Sequence, residues 1–102
     1  MIQISETDFQ GWQGAYRITL GTAEMIVLAE VGPRIISLRL NDGPNLLYVD
    51  EDTAGGGQGD EKWHIYGGHR IWQSPETEDA VNPDNLPCEA LVEPDRLTLT
   101  TP

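Results

Sequence analysis

Between residues 16 and 40 the chain alternates apolar and polar side chains with a period of two, and short turn signals break the alternation. In Tyr16-Arg17-Ile18-Thr19-Leu20, Tyr16, Ile18 and Leu20 share one face of an extended segment, and Arg17 and Thr19 share the other. Gly21-Thr22 reads as a tight hairpin turn. Residues 23–30 supply the returning strand, with Met25, Val27 and Ala29 on one face and Ile26 and Leu28 on the other. After Val31-Gly32-Pro33 the period resumes, with Ile36, Leu38 and Leu40 expected inward and Ser37 and Arg39 outward. Asn41-Asp42-Gly43-Pro44-Asn45 is a chain reversal, and Leu46-Leu47-Tyr48-Val49 reads as a further strand. Parallel strands need long crossovers, so these short connections predict an antiparallel meander.

The flanks add less. Ile2-Gln3-Ile4 suggests a short edge strand, and Phe9 and Trp12 read as aromatic anchors for the first residues. Near the other end, residues 88–93 and 96–100 read as a hairpin about Pro94-Asp95. Strands are therefore expected near 15–20, 23–30, 34–40, 46–49 and 96–100, in an all-β, antiparallel sheet or sandwich over residues 1–102. Residues 51–62 stand apart as a Gly-rich surface loop. That loop lacks the lysine and hydroxyl residue of a phosphate-binding loop and follows the carboxylates of Asp50-Glu51-Asp52.

Charge narrows the function classes. With 17 acidic and 6 basic residues the formal charge is -11, which disfavours a phosphate backbone or an anionic membrane as a partner. Cys88 is the single cysteine, so no intrachain disulfide forms; its expected role is a small buried or half-buried thiol. The first residues lack the basic and apolar blocks of a secretory signal, and the expected location is the cytoplasm.

The densest chemistry lies in Trp63-His64-Ile65-Tyr66-Gly67-Gly68-His69-Arg70-Ile71-Trp72, where two of the three tryptophans and both histidines fall together. Trp63 and Trp72 have faces suited to the C–H side of a sugar. His69 and Arg70 supply directional polar contacts, the arginine through a planar fork. Core packing serves the tryptophans equally well. His64 and His69 match no compact zinc spacing, so no metal or other cofactor is expected. Glu76, Glu78 and Asp79 read as a solvated acidic turn, and no catalytic residue is assigned.

Five stretches share a pattern with a known group. Gly32-Pro33-Arg34-Ile35-Ile36, Gly43-Pro44-Asn45-Leu46-Leu47 and Gly67-Gly68-His69-Arg70-Ile71-Trp72-Gln73-Ser74-Pro75-Glu76 carry it, and Pro83-Asp84-Asn85-Leu86-Pro87 and Leu97-Thr98-Leu99-Thr100 extend it. The chain thereby resembles a bacterial family of uncharacterised proteins related to the galactose mutarotase-like, or aldose 1-epimerase-like, superfamily. The resemblance implies the N-terminal part of a β-supersandwich with a sugar-binding cleft on one sheet. It also implies that the catalytic histidine and glutamate of such epimerases fall beyond Pro102, so neither His64 nor Glu76 takes a catalytic role. Two functions follow as expectations. One is a carbohydrate-binding or mutarotase-related module, contacting a sugar through Trp63, His69, Arg70 and Trp72, with epimerase activity confined to a longer parent protein. The alternative is a noncatalytic structural or protein-interaction β-domain, self-associating through exposed sheet edges.

Overall fold

The computed structural model describes residues 2–56, 66–69 and 87–100. These are all-β. Strands β1 (Gln3–Phe9), β2 (Trp12–Leu20), β3 (Ala23–Leu28) and β4 (Arg34–Leu40) form an antiparallel sheet in the order of the chain. A second, two-stranded antiparallel sheet pairs β5 (Glu89–Glu93) with β6 (Arg96–Thr100). Among the described residues no helix is long and apolar enough to cross a membrane.

The turns follow the local chemistry with two surprises. Leu20 pairs with Ala23 across Gly21-Thr22, where Gly21 takes φ 59°, as the sequence suggests. At the reversal after β4, Gly43 N–H donates to Leu40 C=O at 2.9 Å, and the left-handed positions are Asn41 and Asp42, at φ 54° and 58°. Both residue types tolerate that region better than most, since their short side chains bond the local backbone. The first hairpin is unexpected: Phe9 pairs with Trp12 across Gln10 and Gly11, both at positive φ. Extending the edge strand to Phe9 takes polar and acidic residues into β1.

Two bulges build the core. Thr7 pairs with Ala15 and Phe9 with Trp12, so Gln13 and Gly14 together face the single residue Asp8. Trp12 and Ala15 are an odd number apart, and the extra residue puts both on the same side of the sheet, each 0% exposed. On β4, Ser37 pairs with Ile26 and Ile35 with Val27, which leaves Ile36 as the extra residue. Ile36 joins Trp12, Ala15, Ile26, Leu28, Val31 and Tyr66 in one buried cluster. Leu38 and Leu40 instead pair with Met25 and Ala23 on the opposite face. The expected shared face of Ile36, Leu38 and Leu40 is thus corrected by one residue of bulge.

The stretch expected as a strand at 46–49 makes only an isolated bridge, Val49 with Gly67. Asn45 is the reason. Its Oδ1 accepts from the Leu38 and Leu47 amides at 3.1 and 2.9 Å, and its Nδ2 donates to the Ile36 carbonyl at 3.0 Å. One side chain occupies backbone groups of β4 that a neighbouring strand would otherwise pair.

Trp12 centres the core. Its indole N–H donates to the Gly56 carbonyl at 2.6 Å, and its ring meets Tyr66 edge to face, with centroids 5.9 Å apart. Trp12→Phe keeps an aromatic ring but leaves that carbonyl without its donor, so it should destabilise the fold by about 1–3 kcal/mol. Trp12→Ala adds a cavity and should cost about 3–5 kcal/mol. Urea unfolding of the three proteins tests this order; equal midpoints for wild type and Trp12→Ala would remove Trp12 from the centre of the core.

Candidate functional site

The described part of the chemistry-rich run, residues 66–69, threads between two neighbours. On one side Asp50 N–H donates to Tyr66 C=O at 2.9 Å, and Gly68 N–H to Tyr48 C=O at 2.8 Å. On the other, Ile35 and His69 exchange both backbone hydrogen bonds, at 2.9 and 2.7 Å. The segment therefore continues the sheet beyond β4 for a few residues. Its backbone reaches this position through three consecutive positive φ values, 54° at Tyr66, 116° at Gly67 and 79° at Gly68. A tyrosine in that region is strained, and it persists because its surroundings fix it.

Sterics explain the glycine pair. A Cβ on Gly67 would collide with the Tyr48 carbonyl, and one on Gly68 with the Ile35 carbonyl. Only a residue without a Cβ fits at these two close backbone approaches.

Below the segment lies Arg34, 1% exposed at the start of β4. Its Nε donates to Val31 C=O at 2.6 Å and its Nη1 to Gly67 C=O at 2.9 Å, while the guanidinium lies 5.4 Å from the centre of the Tyr66 ring. These contacts fix the segment from beneath. Sequence reasoning placed Arg34 only as the first residue of a strand. The available signal was its position directly after Gly32-Pro33, where the chain turns into β4.

His69 is exposed and sits next to the glycine pair, held through its backbone on β4. Its sequence partners Trp63, Arg70 and Trp72 lie outside the described residues, as does His64. The start of the Gly-rich loop is described: Gly55 lies against Gly11, and Gly56 accepts from Trp12. Residues 57–62 are outside the description.

Elsewhere, a surface depression is lined by Glu6, Thr7, Asp8, Gln13, Gly14 and Ala15 at the β1–β2 bulge. Among the described residues that line it there is no aromatic side chain to offer a sugar. Cys88 is half-buried, and its N–H donates to the Ala29 carbonyl at 2.7 Å, tying the second sheet to the first. Burial pushes its thiol above the ordinary value, against a smaller lowering by a backbone hydrogen bond, so near neutral pH it is a protonated packing group and a poor nucleophile. Among the described residues no group of three or more His, Cys, Asp or Glu is placed to hold a metal ion.

No family model, curated protein or solved structure matches the chain.

Gly68→Ala combines a side chain at positive φ with a collision against backbone, and should destabilise the protein by roughly 2–4 kcal/mol. Gly43→Ala is the control, since Gly43 has no positive φ and its nearest approach is 3.0 Å, to the Leu40 carbonyl. Thermal unfolding of both variants should show the larger loss for Gly68→Ala; the reverse order would contradict the close approach of Gly68 to β4.

Proposed function

We propose that this chain is a carbohydrate-binding, mutarotase-related β module of the cytoplasm, contacting its ligand through Trp63, His69, Arg70 and Trp72. The observation that carries the reading is His69. Its imidazole is exposed while its backbone is held by two hydrogen bonds to Ile35, on a segment fixed from beneath by Arg34. A polar group on a rigid support loses little freedom when it takes up a ligand. Arg70 follows it directly in sequence, and Trp63 and Trp72 bracket the run. A tryptophan face covers the C–H side of a hexose, while imidazole and guanidinium bond its hydroxyls. The resemblance to mutarotase-like proteins points to the same ligand class.

Binding without conversion is the expected behaviour of these 102 residues. Anomer exchange needs an acid and a base within about 2.6–3.2 Å of the protons they move, and no residue of this chain is assigned to either task. The alternative, a noncatalytic protein-interaction β-domain, is favoured by a different observation, the apolar face that β2, β3 and β4 leave open to solvent.

Titrating a panel of monosaccharides while following tryptophan emission tests the first reading. It predicts saturable binding by at least one hexose, weakened roughly tenfold or more by Trp72→Ala and by Arg70→Ala, a loss of about 1.4 kcal/mol each. Polarimetry on a freshly dissolved anomer should show conversion no faster than in buffer. Emission that is indifferent to every sugar, or binding unchanged in both variants, contradicts the site; rapid conversion contradicts the absence of an acid and base.

A further inference from the structure

We draw no further inference here: the strongest candidate, the small apolar patch that Ile18, Leu20, Met25, Leu38 and Leu40 form on the face of β2–β4 opposite the buried cluster, carries nothing because no feature of the structure shows what covers it.

Discussion

A buried guanidinium holds the described structure together. Arg34 is almost wholly out of water, and removing a charge from water costs several kcal/mol unless hydrogen bonds and polarisable neighbours replace the solvent. Here the carbonyls of Val31 and Gly67 accept from it, and the Tyr66 ring lies against it. Val31 belongs to the connection that leads into β4, whereas Gly67 lies far along the chain. One side chain thus joins the first sheet to the segment carrying the candidate site. The net negative charge of the protein adds a favourable background field for a buried cation.

From Arg34 the contacts run outward in order. Tyr66 meets Trp12, and Trp12 bonds Gly56, so the β1–β2 hairpin, the start of the Gly-rich loop and the 66–69 segment share one packed centre. That centre explains why Tyr66, Gly67 and Gly68 tolerate positive φ and why His69 emerges at a defined place. The cost of the strained backbone, of order 1–3 kcal/mol per residue for a non-glycine, is offset by burial of Tyr66 and the hydrogen bonds on both sides of the segment. Structure and proposed function meet at this point: the same contacts that fill the core also hold the exposed imidazole.

Much of the sheet was legible because period-two patterning records which residues share a face. Residues 16–20 and 23–28, the turn at Gly21-Thr22 and the hairpin about Pro94-Asp95 follow the reading closely. Bulges leave the local composition unchanged, so the change of face between Ile36 and Leu38 could not be read from alternation alone. Polar residues of β1 hid its length, since Ser5, Glu6, Thr7 and Asp8 carry no inward apolar pattern. The apolar run at Leu46 suggested a strand, but the Asn45 side chain takes the bonds such a strand would make. At the candidate site the Gly67-Gly68 approach was readable from residue type. The burial of Arg34 was not, because a charged residue at a strand end is ordinarily solvated.

The central claim is that Arg34 fastens the 66–69 segment to the sheet, and amide hydrogen exchange in an Arg34→Met variant tests it most directly. Methionine fills similar space without donating to either carbonyl. The account predicts faster exchange at the Asp50, Gly68 and His69 amides, which bond to or within the segment, while the β2–β3 amides of Ile18 and Met25 keep most of their protection. Unchanged protection at Gly68 and His69, or a uniform loss across both regions, would contradict it.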